Sequence, residues 1–224
     1  MIELAKVNPV TRIFVVDDHP IMRDGIALLI GAERDLQICG SAGSMQEALK
    51  QFPTAKPDLL IVDLSLKDGL GLELIKSVKE RYPQTRMLVV SAYDENLYAE
   101  RALRNGASGY VNKQECEETL LLAIRTVLAG RRYVSEQILQ KLVNLAIGGE
   151  ESETGDPVER LSDRELEIFR LIGLGTTPAV IAKQLHISPH TVDSHREKIR
   201  HKLNLENGRE LMQRAMRWVL DNQQ

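Results

Sequence analysis

Asp17, Asp18, Asp63, Ser91 and Lys113 are the residues of this 224-residue chain whose types and spacing could do chemistry together. Asp17 and Asp18 directly follow the apolar run Ile13-Phe14-Val15-Val16, and Asp63 follows Leu59-Leu60-Ile61-Val62. Ser91 closes Met87-Leu88-Val89-Val90, and Lys113 comes just after Gly109-Tyr110-Val111. Crowded carboxylates repel one another and favour a divalent cation; Mg2+ suits one or two carboxylates plus phosphate oxygens. A carboxylate can also accept a phosphoryl group as an aspartyl-phosphate. Asp63 is the best nucleophile candidate, because it stands alone while Asp17 and Asp18 form an adjacent pair. A metal and Lys113 would stabilise charge on the transferring oxygens, and Ser91 could hydrogen-bond one of them. Singly, an Asp-Asp pair reads as a turn or cap and a lysine as solvated. Five suitable residues at the ends of four runs are hard to ascribe to turns alone.

The runs themselves are what parallel strands buried on both faces require, with weaker ones at Leu36-Gln37-Ile38 and Gly109-Tyr110-Val111. Helical patterns lie between and after them at 20–31, 44–52, 70–81, 95–105 and 114–129. Five strand-helix repeats specify a parallel sheet sandwiched between helices. In such an open α/β sheet, ligands sit at the carboxyl ends of the strands, near the point where strand order reverses. The five residues should therefore share one crevice. A further helix over 135–147 leads to GGEESETGDP, whose glycine, acid and proline content reads as a linker.

Beyond the linker the pattern is all-helical, with helices expected near 163–173, 178–185, 189–203 and 207–220. Ser162 with Glu165 forms a capping box, while Thr177-Pro178 and Ser188-Pro189 each put an oxygen at N-cap and proline at the first helical position. Two short helices joined at His186-Ile187-Ser188 have helix-turn-helix spacing, in which the second helix enters the major groove of double-stranded DNA. Val180, Ile181, Leu185, Ile187, Val192, Ile199 and Leu203 fall where a small trihelical core needs them.

The formal charge of −3 divides unevenly: residues 157–224 carry 11 Lys/Arg against 9 Asp/Glu, and 195–217 carry 7 against 3. That asymmetry permits a nucleic-acid partner for the second half. No apolar stretch is long enough to span a bilayer, and MIELAKVNPVTR lacks a signal-peptide core. Cys39 and Cys116 are far apart and suggest neither a disulfide framework nor a zinc site, which fits a cytoplasmic protein. His186, His190, His195 and His201 lack the spacing and supporting acids of a metal site, so none is expected there.

VVDDHP, LLIVDLSLKDGLG, VVSAYDE and GASGYVNK together resemble the defining segments of response-regulator receiver domains, over residues 12 to about 130. The resemblance implies a flavodoxin-like (βα)5 fold that takes phosphate from a histidine kinase or phosphotransfer protein. It makes Asp63 the phosphoacceptor, Asp17 and Asp18 with Asp63 the Mg2+ ligands, Ser91 the switch hydroxyl and Lys113 the phosphate-pairing lysine. Tyr110 matches an aromatic position whose ring turns inward on activation; ordinary strand-end packing explains its type equally well. Many receivers have proline where this chain has Lys67 and Gln114. Neither position supplies a catalytic group, though Lys67 could alter the loop after Asp63.

The stretch LSDRELEIFRLIGLG, followed by IAKQLHISPHTVDSHREKIRHKLNL and RELMQRA, resembles the LuxR-type DNA-binding domain over about residues 158–220. Joined to a receiver, that is the NarL/FixJ class. The resemblance implies that the helix from Pro189 to Leu203 reads the groove and that 207–220 mediates dimer contacts on DNA. His190, Thr191, Asp193, Ser194, Arg196, Glu197 and Lys198 lie on or beside the groove-facing turns. Arg196 could pair with guanine or grip a phosphate, and Lys198, Arg200 and Lys202 suit phosphates better. Asp193 and Glu197 stand where relatives carry basic residues. Asp193 could accept from cytosine; alternatively, and preferably, the two acids pair with neighbouring cations of the helix.

The expected division is a receiver over 10–130, a linker helix and linker over 131–157, and a helix-turn-helix domain over 158–224. The expected function is a DNA-binding regulator in which phosphorylation of Asp63 switches dimerisation or DNA binding, hence transcription. It would be no enzyme beyond slow self-dephosphorylation, and would form a homodimer when phosphorylated or on DNA, with no membrane partner. A phosphohydrolase working through an aspartyl-phosphate is the enzymatic alternative, but Asp63-Leu64-Ser65 offers no second acid two residues on. A third possibility is a DNA binder whose receiver serves only to dimerise.

Overall fold

The computed structural model describes residues 10–147 and 156–222. Most of the GGEESETGDP linker, and the start of the chain, lie outside the described residues. Five parallel strands form one sheet: β1 (Thr11–Val16), β2 (Leu36–Ala42), β3 (Leu59–Val62), β6 (Arg86–Ser91) and β7 (Gly109–Asn112). A separate antiparallel hairpin, β4 (Ser65–Leu66) with β5 (Gly69–Leu70), follows β3. The sheet order is β2-β1-β3-β6-β7. Strand order therefore reverses between β1 and β3, which is the flavodoxin-like arrangement.

Why these runs make this sheet follows from a period of two with both faces apolar. Phe14, Val16, Leu60, Val62, Met87, Val89 and Tyr110 face one core, with α2 (Met45–Ala55), α3 (Gly71–Arg81) and α4 (Glu95–Asn105) over it. The residues between them, Ile13, Val15, Leu59, Ile61, Leu88, Val90 and Val111, face the other core beneath α1 (Pro20–Gly31) and α5 (Glu117–Leu128). Each strand thus glues two helical layers.

A helix α6 (Glu136–Ala146) follows, then a 3-10 turn at Pro157–Arg160 and helices α7 (Asp163–Gly173), α8 (Pro178–Gln184), α9 (Pro189–Lys202) and α10 (Gly208–Asp221). Ser162 and Glu165 make the reciprocal capping box. Ser188 caps α9 by accepting from the Thr191 N–H, but Thr177 makes no side-chain cap bond, contrary to expectation. Proline alone presets that start. Ile181, Leu185, Val192 and Ile199 are buried as expected, and Ile187 and Leu203 pack at the edge, whereas Val180 is 53% exposed. Its position one residue before Ile181 turns it away from the shared core.

The two halves touch. One buried apolar cluster runs from the sheet through α3 and α4 into the helical domain.

Gly173 shows how closely that domain is packed. A Cβ there would lie 2.4 Å from the Ala215 carbonyl oxygen and 2.6 Å from Val219 Cγ2. Backbone cannot yield as a flexible side chain can, so Gly173→Ala should cost about 3 kcal/mol by overpacking α7 against α10. The chain's single tryptophan, Trp218, sits 5.7 Å from Phe169 between ring centroids in the same core. Its fluorescence in a urea titration should report an earlier midpoint; a parental midpoint would show that the helices part at no cost.

Candidate functional site

Hydrogen-bond ladders bring the five sequence-derived residues to one edge. Val16 pairs in register with Val62, and the Asp63 N–H donates to the Val16 carbonyl at 2.8 Å, so Asp17 and Asp63 stand side by side. Ser91 ends β6 opposite Asn112, and the Lys113 N–H donates to the Ser91 carbonyl at 3.0 Å. Lys113 Nζ lies 2.7 Å from both Asp17 Oδ2 and Asp63 Oδ2. Ser91 is fully buried, and its hydroxyl accepts a long hydrogen bond from the Tyr93 N–H at 3.4 Å.

Burial pushes the Asp63 carboxyl above its ordinary range; Lys113 pulls it down only in part, and the Asp17 charge pushes it up further. Burial acts to lower the Lys113 ammonium, but Asp63 and Asp17 outweigh it and hold it above its ordinary value. The crevice is therefore short of positive charge. Asp63 Oδ1 is buried with no hydrogen-bond partner among the described residues, and ligand atoms of Asp17, Asp18, His19 and Asp63 lie within 4.8 Å of one another. An orphaned carboxylate oxygen amid other carboxylates fits a hard cation with oxygen ligands.

Sequence reasoning does not single out His19, whose Nδ1 lies 2.8 Å from Asp18 Oδ1 and 3.2 Å from Asp17 Oδ1. Its place directly after the acidic pair is the available signal. The loop after Asp63 is held tightly. A Cβ on Gly71 would come within 2.2 Å of the Asp63 carbonyl oxygen, so α3 can begin there only with glycine. Lys67 is exposed on the hairpin turn, and the neighbouring Asp68 carboxylate accepts from the Met45 and Gln46 N–H groups at 2.9 Å each. Tyr110 is buried with its ring inward, and its hydroxyl donates to the Tyr93 carbonyl at 2.8 Å.

On α9, His190, Asp193, Ser194, Glu197, Lys198 and His201 are exposed, and Thr191 partly so. Asp193 pairs with Arg196 at 3.0 Å, and Glu197 pairs with Arg200 at 2.8 Å rather than with Lys198. Lys202 is committed to Glu165 at 2.6 Å. Lys198 makes no ion pair among the described residues, leaving it the freest cation of the helix.

Two groups of this domain lose stability in acid, against Glu167, whose carboxyl burial pushes up and which therefore gains it there. Burial raises the Glu165 carboxyl, but Lys202 and the Ser162 N–H outweigh it and hold it below its ordinary range. Burial, then the Lys198 charge, lowers the His195 imidazole. In both cases the unfolded state binds protons first, so stability is full above the unfolded values and is lost as pH falls through the folded ones. Loss should begin below about pH 6.5 from His195 and continue below about 4.3 from Glu165. Trp218-detected unfolding of the parent and of His195→Gln from pH 8 to 5 checks the imidazole: the variant should lose less stability than the parent over that range, and equal changes would contradict the assignment.

A doubly wound α/β domain with an acidic crevice at its switch point, joined to a helix-turn-helix domain, is the class defined by this fold. The response regulator receiver domain model matches residues 13–125, and that of the luxR family of bacterial regulatory proteins matches residues 159–215. The chain belongs to the response regulators that join a receiver to a LuxR-type DNA-binding domain. It is 37% identical over 210 residues to the oxygen regulatory protein NreC of Staphylococcus haemolyticus strain JCSC1435, covering 92% of this chain and 97% of that protein. A solved structure of RcsB from Salmonella enterica serovar Typhimurium, bound to promoter P1flhDC in the presence of phosphomimetic BeF3-, is similar with a TM-score of 0.69. That pair shares 26% identity over 92% of this chain and 98% of the other. A LuxR-family two-component response regulator from Aurantimonas sp. SI85-9A1 is 32% identical, with a TM-score of 0.57 over 62% of this chain and 99% of that one. The family is one of transcription regulators, not of turnover enzymes, which leaves the phosphohydrolase alternative without support. Among the described residues no helix is long and apolar enough to cross a membrane.

Proposed function

We propose that a histidine kinase or phosphotransfer protein phosphorylates this chain on Asp63 and that the modified protein binds promoter DNA as a homodimer in the cytoplasm. The observation that carries this is the pairing of Lys113 with both Asp17 and Asp63 at 2.7 Å, beside an unpartnered Asp63 oxygen. Asp17, Asp18 and Asp63 would hold Mg2+, which when bound neutralises charge on the phosphoryl oxygens. Asp63 is the nucleophile, and Lys113, which holds its Oδ2 and leaves Oδ1 open to the cation, is placed to follow charge onto the phosphoryl group. The Ser91 hydroxyl, which accepts from the Tyr93 N–H at 3.4 Å, is placed to donate to a phosphoryl oxygen. Tyr110 already occupies its inward place, so the movement supported here starts at Ser91. Return to the free state needs only slow hydrolysis of the acyl phosphate. The functional division is then 10–130 receiver, 131–157 linker helix and linker, and 158–224 DNA-binding domain.

Incubation with Mg2+ and acetyl phosphate should add one phosphoryl group by intact mass, and chelation should abolish it. No adduct at any early time would leave the receiver as a dimerisation module only.

The exposed stripe Met212, Met216 and Leu220 on α10, spaced i, i+4, i+8, supports pairing with a second copy. For DNA, Lys198 is the prime phosphate contact, with Arg200 and Arg196 next and His190, Thr191, Asp193, Ser194 and Glu197 at the groove. Arg200 and Arg196 have their acids to shed or share first. Lys198→Ala should weaken binding to a random-sequence duplex and reduce the slope of log affinity against log salt by about one. An unchanged slope would remove Lys198 from the interface.

A further inference from the structure

His19 follows the acidic pair directly and is the only histidine of the receiver half. It stands at the N-cap of α1, yet its side chain makes no capping bond there. The ring turns back to the carboxylates instead. Its Nδ1 is hydrogen-bonded to Asp17 Oδ1 at 3.2 Å and lies 2.8 Å from Asp18 Oδ1. The shorter approach is no hydrogen bond, since Asp18 Oδ1 is buried with no hydrogen-bond partner among the described residues. The backbone turn that carries the ring is anchored to the same acid, because the His19 N–H donates to Asp17 Oδ1 at 2.8 Å.

Lys113 occupies the Oδ2 atoms of Asp17 and Asp63. That leaves Asp17 Oδ1, Asp18 Oδ1, Asp63 Oδ1 and the imidazole, and ligand atoms of these four residues lie within 4.8 Å of one another. Asp63 is only 2% exposed, and its Oδ1 has no hydrogen-bond partner among the described residues. A buried carboxylate oxygen left bare in this way calls for a ligand. Two atoms held about 2.1 Å from one octahedral ion at a right angle are about 3.0 Å apart. The two His19 separations, 2.8 and 3.2 Å, straddle that value, as neighbouring corners of an octahedron would. Mg2+ favours oxygen ligands throughout, whereas the divalent ions of the first transition row accept imidazole beside carboxylates.

We propose, on the reading of this crevice as the cation site for Asp63 phosphorylation, that His19 is a fourth protein ligand and biases the site towards Mn2+ over Mg2+. Mn2+ is the transition ion best matched to three carboxylates and one imidazole, since it keeps the taste for oxygen that later ions of the row lose. The cation takes the place of the proton shared between Nδ1 and Asp17. The side chain of His19 is 64% exposed, so its ring can settle on the ion without moving the backbone, while the buried Asp17 and Asp63 fix where the ion sits. Four protein ligands leave two corners of an octahedron for a phosphoryl oxygen and a water.

Mn2+ paramagnetic resonance on the full chain tests this. The free-ion signal should fall as one site per chain fills, and Asp63→Asn should remove that site. The electron spin echo of the bound ion should carry the 14N modulation of a directly ligated imidazole. His19→Gln should lack the modulation and bind Mn2+ at least about tenfold more weakly, as loss of even an outer-shell partner costs. Its Mg2+ affinity, read by competition against Mn2+, should not fall. The parent's spectrum alone decides the ligand, so a variant that fails to fold leaves the test intact. Bound Mn2+ without nitrogen modulation overturns the ligand and leaves the crevice standing as an all-oxygen site. Equal losses of Mn2+ and Mg2+ affinity in His19→Gln, or a modulation that persists there, overturn it as well. No saturable Mn2+ site sensitive to Asp63→Asn would refute the crevice as a cation site, and the ligand with it.

Discussion

An Asp63→Asn chain takes up no phosphoryl group from acetyl phosphate and is at least as stable as its parent. The first half follows from chemistry, since an amide nitrogen cannot replace the carboxylate nucleophile. The second follows from the crevice. Asp63 is only 2% exposed, its carboxyl is pushed above the ordinary range by burial, and Lys113 offsets this incompletely. A group whose folded value is raised contributes stability that is lost as pH rises through that value. At neutral pH the ionised Asp63 is therefore a burden on the fold, and an isosteric neutral side chain removes it. Lys113 keeps a partner in Asp17 at 2.7 Å. Intact mass and urea midpoints at pH 7.5 read the two halves separately. An adduct persisting on the variant would move the acceptor to Asp17 or Asp18, and a midpoint well below the parent's would mean that the Asp63–Lys113 pair stabilises the fold.

Both the sheet and its crevice were readable from the chain because burial on two faces leaves an unambiguous trace. Runs such as Leu59-Leu60-Ile61-Val62 contain no polar residue, and a polar residue placed directly after such a strand must lie at its end. Parallel pairing then does the rest: the register of Val16 with Val62 brings Asp17 beside Asp63 whatever the helices do. Helix limits were less legible. The pattern over 44–52 stops before Pro53, yet α2 runs to Ala55, with Lys56 closing it in a left-handed conformation at φ 41°. A proline in the last turn leaves only one carbonyl without its donor, which the exposed side of α2 tolerates. The hairpin at 65–70 gives no periodic signal because each of its strands is two residues long.

The interdomain contact was illegible for a different reason. Asp163, Arg164, Glu167 and Arg170 have the composition of a solvated helix face, and nothing local says otherwise. Glu167 is nevertheless 3% exposed, and burial pushes its carboxyl up although Arg164 stands beside it. Such a cost is tolerated only in a particular tertiary arrangement, which no short-range pattern encodes. Asp193 and Glu197 were more legible: the expected pairing with cations of their own helix is found, with Arg196 for the first and Arg200 rather than Lys198 for the second. Those pairs hold the cations in place and encumber them at once, since each must be shared or broken before a phosphate is gripped.

Replacing Lys113 with alanine should have the largest effect on the apo fold. Its side chain is 11% exposed and lies between carboxylates that are 3% and 1% exposed, so its removal leaves two buried charges facing each other. Breaking a buried pair by removing one partner costs about 3–5 kcal/mol. Some of this is relieved by protonating Asp63, whose carboxyl is already displaced in that direction. The variant should therefore regain stability as pH falls from 8 to 6, the opposite of the behaviour set by Glu165 and His195. A divalent cation should relieve more of it. With the ammonium gone the site is one charge more negative, so Mg2+ binds it more tightly, and a ligand at a hundred times its Kd stabilises by about 2.7 kcal/mol. Urea midpoints in chelator and in Mg2+ should then differ more for the variant than for the parent. Lys113→Arg keeps the charge but not the compact ammonium that fits 2.7 Å from both oxygens, and should recover the stability in chelator while phosphorylating slowly. Equal Mg2+ responses in parent and Lys113→Ala would mean that cation and lysine do not share these carboxylates, and the crevice would have to be rebuilt around a different ligand set.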